Sequence, residues 1–279
     1  MLKEIAVADA YGAGFEFSSK KKVREKNNVV NYQPHDLYGF CAKYTDDTQM
    51  SIAIAELLLS DEIWDREVVA SKFVECFRRD IRRGYSKGLF SLLSNSTSGL
   101  DLLNQIKPIS SRNGAAMRSV PLGVLVNKEQ VVERATLQAA VTHNTEIGIK
   151  SSCAVALAAH FGLHVKGEIK DVKIFLENEG FSEWDYDWKG EVSVEAFDTV
   201  SAALTCLTRF KCLEELLFNC VNLCGDTDSV ASIAVGLAMC FEEYHKNIPA
   251  GLVKDLDEGL YGIKFLDGLD KELAVKFGL

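Results

Sequence analysis

Proline is scarce in this chain: four of 279 residues, Pro34, Pro108, Pro121 and Pro249. With Ala and Leu abundant, that scarcity removes the commonest interruptions to a helix and favours a helical protein. Zinc-type spacing is missing as well. The eight cysteines (Cys41, Cys76, Cys153, Cys206, Cys212, Cys220, Cys224 and Cys240) form no Cys-x-x-Cys pair and no Cys/His ligand pattern, so they read as reduced, mostly buried thiols. No uninterrupted apolar run approaches membrane-spanning length, and the N-terminus lacks a charged-then-apolar signal pattern. The expectation is a cytoplasmic protein with no membrane partner, export by a route without such a signal staying open. Net charge is −9, and no stripe of Lys and Arg follows a predicted helix. The longest basic cluster, Lys20-Lys21-Lys22 with Arg24 and Lys26, reads as a solvated loop, so no nucleic-acid groove is expected.

What is present is helical patterning. Hydrophobic residues make up 47% of the chain and charged residues 25%, normal for a globular protein with a sizeable core. Residues 3–15 predict a short helix of small side chains, and residues 18–44 a loop. Met50, Ile52, Ala53, Ile54, Leu57 and Leu58 predict a helix over 47–60, and residues 65–80 an amphipathic one. Residues 84–97, rich in Gly and Ser, read as a loop or an irregular helix. Residues 113–126 pass through a Gly-containing turn into an apolar helix. Two helices, 128–141 and 145–162, are broken at Thr142-His143-Asn144, and 168–178 reads as a further short helix. The polar, aromatic stretch 181–193 reads as an insertion or lid, and helices follow at 195–208, 212–223 and 228–245. Beyond Leu252 the pattern is indecisive. Strand signals are short, no repeat of fixed period occurs, and no composition shift marks a boundary, so one all-α domain over 1–279 is expected.

Two short stretches share one grammar. Thr45-Asp46-Asp47-Thr48 and Gly225-Asp226-Thr227-Asp228-Ser229 each precede an Ala-rich apolar run, so each reads as a first helical turn with its acids at the N-terminal end. They stand about 180 residues apart, so only the fold unites them. Joined, four carboxylates would repel one another unless cations lay between them. All-oxygen ligation selects hard ions, Mg²⁺ first, with Mn²⁺ or Ca²⁺ as alternatives. The plainer reading is ordinary capping, since Asp, Ser and Thr satisfy free amides at helix starts. Asp-Asp and Asp-x-Asp supply more acid than a cap uses, and the density occurs twice.

Other residues add to this. Ser111-Arg112-Asn113-Gly114-Ala115-Ala116-Met117-Arg118 is a turn whose amides would suit a phosphate or diphosphate, with Arg118 adding charge; a structural turn is the plainer reading. His143, in the helix break, is free to face a pocket, or it is simply exposed. Asp9 reads as a structural hydrogen-bond acceptor, and Glu16 as a surface acid or a movable carboxylate beside metals.

In this order, Ala8-Asp9-Ala10-Tyr11-Gly12, Thr45 to Thr48, Asn113 to Arg118, Thr142-His143 and Gly225 to Ser229 resemble the ADP-ribosylglycohydrolase family, from the N-terminus to about residue 240. The resemblance implies a compact, orthogonal all-helical bundle with two Mg²⁺ or Mn²⁺ ions in a cleft. It places Thr45, Asp46 and Asp47 on metal from one side and Asp226, Asp228 and Ser229 from the other, with Glu16 ligating or gating. It implies that Asn113, Gly114, Met117 and Arg118 line the diphosphate pocket and that His143 touches ribose. The substrate would be an ADP-ribosylated protein and the product ADP-ribose, with ADP-ribosyl-arginine the first choice of acceptor and serine or a nucleobase the alternatives. Asp46 or Asp47 is the first candidate to take the proton from the attacking water, and Glu16 the second. No organic cofactor is needed.

Three positions depart from the family pattern. Ser229 stands where Thr is usual and keeps the hydroxyl, while Ala8 and Cys224 each replace a Gly. Two other classes fit the motifs less well. A prenyl-diphosphate enzyme would need an acid at position 50, which is Met50, and its second motif lacks the later Glu. A non-catalytic ADP-ribose reader would be expected to lose acids from the cluster, and all four are present.

Overall fold

A computed structural model of the chain describes residues 1–256 and 259–279. Among these residues every regular element is helical, apart from four isolated two-residue bridges. The α-helices are α1 (Leu2–Ala13), α2 (Lys20–Lys26), α3 (Asp46–Leu59), α4 (Arg66–Arg79), α5 (Lys87–Asn95), α6 (Gly99–Gln105), α7 (Lys128–Thr142), α8 (Glu146–His160), α9 (Val172–Asn178), α10 (Ala196–Arg209), α11 (Leu213–Asn222), α12 (Thr227–Ala238), α13 (Ala250–Asp255) and α14 (Ile263–Phe277). The fold is all-α, as expected.

The helices start where their sequences supply a cap. The side chains of Ser19, Thr45, Asp65, Ser86, Ser98, Asn127 and Thr145 each accept a hydrogen bond from an amide of the first turn that follows. One of these caps departs from the expectation. Ser86 belongs to the stretch 84–97, read as loop or irregular helix, yet it starts the regular helix α5, and Ser98, just beyond that stretch, starts α6. The basic cluster at Lys20 is helical too, not a loop. Its Lys22 turns inward, donating to the Gly14 and Pro34 carbonyls and to Asp36 Oδ1 at 2.6, 2.9 and 2.7 Å.

Two further expectations fail for steric reasons. Residues 113–126 form tight 3₁₀ turns rather than an apolar α-helix. Pro121 interrupts the ladder there, and Gly123 lies so close to α8 that a Cβ would stand 2.4 Å from that of Ala159. The last long helix before the C-terminal region stops at Ala238, short of residue 245. The stretch read as an insertion or lid lies against α10, where the amides of Asp185 and Trp188 donate to Ser201 Oγ and Thr205 Oγ1, each at 3.0 Å.

At the centre lie α1 and α12. Every residue of α1 from Ile5 to Ala13 is buried, and so is every residue of α12. Small side chains make this contact possible. A Cβ on Gly12 would fall 2.5 Å from the Asp228 Cα, so only glycine lets the two backbones approach this closely. α14 closes the other side of α1, Asp270 accepting the N-terminal amine and the Leu2 amide at 3.0 Å each.

Candidate active site

Both acid-bearing helix starts hang from α1. Asp9, fully buried, accepts the Thr45 and Thr48 amides at 2.9 and 3.0 Å and both threonine hydroxyls at 2.8 and 2.5 Å. It is therefore the structural acceptor the sequence suggested, holding the first turn of α3 from outside. Three residues on, Thr227 Oγ1 donates to the Gly12 carbonyl at 2.8 Å and ties down the start of α12. The third piece, Glu16, follows the end of α1. Its neighbour Phe17 donates its amide to the Gly225 carbonyl at 2.8 Å, which brings Glu16 beside Asp226.

The result is a carboxylate cluster. Oxygens of Glu16, Asp226 and Asp228 lie within 4.8 Å of one another. Asp46 and Asp47 line the same cavity, a cleft of about 460 Å³. Asp46 fits only because Gly84, at φ +107°, has no side chain: a Cβ there would lie 2.0 Å from Asp46 Oδ1. Asp47 Oδ1 accepts Ser232 Oγ at 3.0 Å, and Asp226 Oδ2 accepts Asn113 Nδ2 at 2.8 Å. Burial, followed by the charge of neighbouring acids, pushes the Asp46, Asp47 and Asp228 carboxyls well above the usual carboxylate range. Asp226 is raised by burial as well, partly offset by hydrogen bonds that include those from Asn113 and Ser229. Five acids converge, and the ion pairs seen among the described residues join none of them to a Lys or Arg, so the set fits a site for hard divalent cations.

The loop before α12 is built for close approach. Gly225, at φ +81°, would place a Cβ 1.9 Å from the Val192 carbonyl oxygen, which accepts the Asp226 amide at 2.9 Å. Cys224, where the family pattern has Gly, also adopts a left-handed conformation, with φ +64°. A side chain in that region costs about 1–2 kcal/mol. The departure is therefore a backbone matter and leaves the ligating groups untouched.

The opposite wall carries Asn113, Gly114, Met117, Arg118, Thr142 and His143. Arg118 is fully buried, and among the described residues its hydrogen-bond partners are Gln138 and Thr142. Its Nε bonds Gln138 Oε1, while Nη2 donates to the Gln138 carbonyl at 3.0 Å and to Thr142 Oγ1 at 2.8 Å. Burial brings its pKa down to about 9. Thr142 Oγ1, held by Arg118, stands 2.6 Å from His143 Nδ1, and this hydrogen bond sets the orientation of the imidazole. Burial, then the charges of Arg118 and Arg112, holds its pKa down to about 3, so the ring is neutral. Gly114 makes room for it, since a Cβ there would stand 2.8 Å from His143 Cε1.

The fold thus brings Glu16, Asp46, Asp47, Asn113, Gly114, Met117, Arg118, His143, Asp226, Asp228 and Ser229 to one cavity. Thr45 is not among the lining residues, because its hydroxyl donates to Asp9 and accepts the Asp47 amide. Sequence reasoning did not find Gly84, Ser232 or Gln138. Only Gly84 carries a local sign, its place in Arg83-Gly84-Tyr85 ahead of a helix start. Leu89 and Leu92, from the stretch 84–100 expected at the cleft rim, line the cavity as well, together with Ile106.

A buried, self-repelling cluster of carboxylates in an open cleft on a helical scaffold is the kind of pocket that suits an enzyme using hard divalent cations. The sequence profile of the ADP-ribosylglycohydrolases matches residues 5–277, and the chain belongs to that family of hydrolases, which act on ADP-ribosylated substrates. Among curated relatives, it is 25% identical over 258 residues to human ADP-ribosylhydrolase ARH3, covering 70% of this chain and 69% of that one. It is 24% identical over 261 residues to the ADP-ribosylarginine hydrolase Tri1 of Pseudomonas putida, covering 84% of this chain and 67% of the relative. An uncharacterized Archaeoglobus fulgidus protein is 28% identical over 252 residues, covering 82% of each. A solved structure described as an ADP-ribosylglycohydrolase-related protein complex superposes with a TM-score of 0.76, spanning 99% of this chain and 95% of that one at 20% identity. That likeness supports the fold.

Proposed function

We propose that this protein removes ADP-ribose from ADP-ribosyl-arginine on a modified protein, with two Mg²⁺ ions, or Mn²⁺ in their place, held by the carboxylates of its cavity. The observation that carries the reading is the convergence of Glu16, Asp226 and Asp228 within 4.8 Å, with Asp46 and Asp47 in the same cavity. Asp46, Asp47, Asp226 and Asp228 are the metal-holding residues in this reading, with Ser229 and the remaining lone pair of Thr45 completing the set. When bound, the cations supply charge to orient the ribose hydroxyls and to acidify water.

The chain's own residues do the rest. Asp46 or Asp47 takes the proton of the attacking water, with Glu16 as the second candidate. Water adds at ribose C1″, the bond from C1″ to the guanidine nitrogen breaks, and the departing nitrogen takes up the proton that the carboxylate removed from water, leaving as arginine. His143, neutral and oriented by Thr142, hydrogen-bonds a ribose hydroxyl through Nε2. The Asn113–Met117 turn and Arg118 form the wall for the diphosphate, Arg118 acting chiefly by fixing Thr142 and His143. The choice of arginine is supported by the likeness to the Pseudomonas putida relative. A cytoplasmic setting is supported by the eight unpaired cysteines. The reading treats residues 1–279 as one such domain.

The test is release of free ADP-ribose from an arginine-modified and a serine-modified protein, each with Mg²⁺, Mn²⁺ or EDTA. Metal-dependent release from arginine alone is expected, with Asp46→Ala and Asp226→Ala inactive but helical. Release from serine alone overturns the acceptor, and full activity of either variant overturns the metal assignment.

A further inference from the structure

Glu16 lies on an irregular segment, yet it does not hang free. His35 Nε2 meets Glu16 Oε2 at 2.8 Å. On its other side, His35 Nδ1 accepts the Leu37 amide at 3.0 Å. A ring nitrogen that accepts an N–H carries no proton, so the ring's proton is on Nε2 and points at Glu16. His35 is itself immobilised. Its amide donates to the Phe40 carbonyl and its carbonyl accepts the Gly39 amide, each at 2.8 Å, closing a tight loop. The rings of Tyr38 and Phe40 stand 4.9 and 5.0 Å from the imidazole. Lys22 bolts this loop to the Glu16 segment through the Gly14 and Pro34 carbonyls and Asp36, and Ser18 Oγ adds a bond to Asp36 Oδ2 at 2.8 Å. Only 5% of His35 is exposed.

We propose that His35 is a positioning residue for Glu16: it holds one carboxylate oxygen so that the other is presented to the Asp226–Asp228 cluster. This rests on the two-metal reading above. The rigid loop gives a carboxylate on irregular backbone the fixed aim that Asp226 and Asp228 receive from a helix. A ligand whose outer oxygen is held in this way loses less freedom when a cation binds, so metal affinity and turnover both gain.

Two substitutions separate this role from simple loop packing. Glutamine places its amide nitrogen where Nε2 lies and keeps the donor to Glu16, but it loses the acceptor for Leu37. Asparagine reaches the Nδ1 position, keeps the Leu37 bond and loses Glu16. Full-length wild type, His35→Gln, His35→Asn, Glu16→Gln and the His35→Asn/Glu16→Gln double variant are compared. Mn²⁺ dissociation constants come from titration calorimetry, and kcat and KM from ADP-ribose release. Circular dichroism reports folding. For His35→Asn the expectation is Mn²⁺ affinity weakened about tenfold and kcat lowered about 10- to 100-fold, with KM changed less than about twofold. His35→Gln should retain most of both, and the double variant should be no worse than Glu16→Gln, because both changes remove one interaction. Wild-type behaviour of His35→Asn, or losses that multiply in the double variant, would overturn the proposal. If His35→Gln is the damaged variant and His35→Asn the sound one, His35 serves the loop and the proposal also falls. Wild type reports on the underlying reading separately. If it neither binds Mn²⁺ nor releases ADP-ribose, the two-metal reading fails and takes this proposal with it. If it does both, the variants judge His35 alone.

Discussion

Replacing Asp9 offers a sharp test of how the first acidic motif is held. Its carboxylate accepts two buried amides and two hydroxyls from the first turn of α3. Burial raises its pKa to about 6, so keeping it charged at neutral pH has a real cost. Asp9→Asn and Asp9→Ala remove the same charge, and that relief cancels in their difference. What differs is the hydrogen bonding. Asparagine can set its oxygen at the Oδ2 position, where the Thr45 and Thr48 amides both still reach it, and the threonine hydroxyl near its amide can turn to accept. Alanine leaves both amides buried without a partner, at roughly 1–3 kcal/mol each, so Asp9→Ala should be less stable than Asp9→Asn by about 4 kcal/mol. For a chain of this size that is a gap of about 8 °C in Tm. Urea unfolding of the two variants at pH 7.5, both free of divalent metal, measures it. Melting of the two within about 2 °C of each other would mean that the α3 start is held by its own packing and that the Asp9 bonds are incidental.

Two further outcomes follow from the same geometry. Gly84→Ala should weaken Mn²⁺ binding and ADP-ribose release at least tenfold, because its Cβ would displace Asp46 and strain a backbone at φ +107°; unchanged calorimetric affinity would show that Asp46 is no ligand. His143 has a folded pKa of about 3 against 6.5 in the unfolded chain. The unfolded state therefore binds the extra proton between those values, and His143's contribution to stability is complete above pH 6.5 and lost as pH falls toward 3, at about 1.4 kcal/mol per pH unit. His143→Gln should flatten this slope in urea titrations between pH 6.5 and 4, and a slope equal to that of wild type would refute the neutral, buried ring.

The sequence made some of this legible and hid the rest for identifiable reasons. The acidic helix starts were readable because capping chemistry and excess charge are local. Asp9 was readable as an acceptor because a lone acid among small apolar residues has few other uses. Ser86 misled because a serine that signals a loop is the same serine that starts a helix. α2 was hidden because Val23 is its one buried residue, too few for periodicity to register. The link from His35 to Glu16 spans 19 residues of irregular chain and depends on a loop closed by backbone bonds. No pattern of residue types announces such a link. Thr45 shows the limit of carry-over: its hydroxyl donates to Asp9 and accepts the Asp47 amide, and the residue does not line the cavity.

Hanging both acidic motifs from one N-terminal helix also has a temporal consequence. The bond from Thr227 to Gly12 joins residues 215 positions apart, and Glu16 meets Asp226 through the same junction. A chain emerging from the ribosome would carry Asp9 and the α3 acids long before α12 existed to complete the cluster. The cavity therefore cannot gather its charges until α12 has been made and has met α1. A cation that needs the full set of carboxylates would act as an inspector of the fold, binding molecules in which α12 has docked on α1 and passing over those in which it has not.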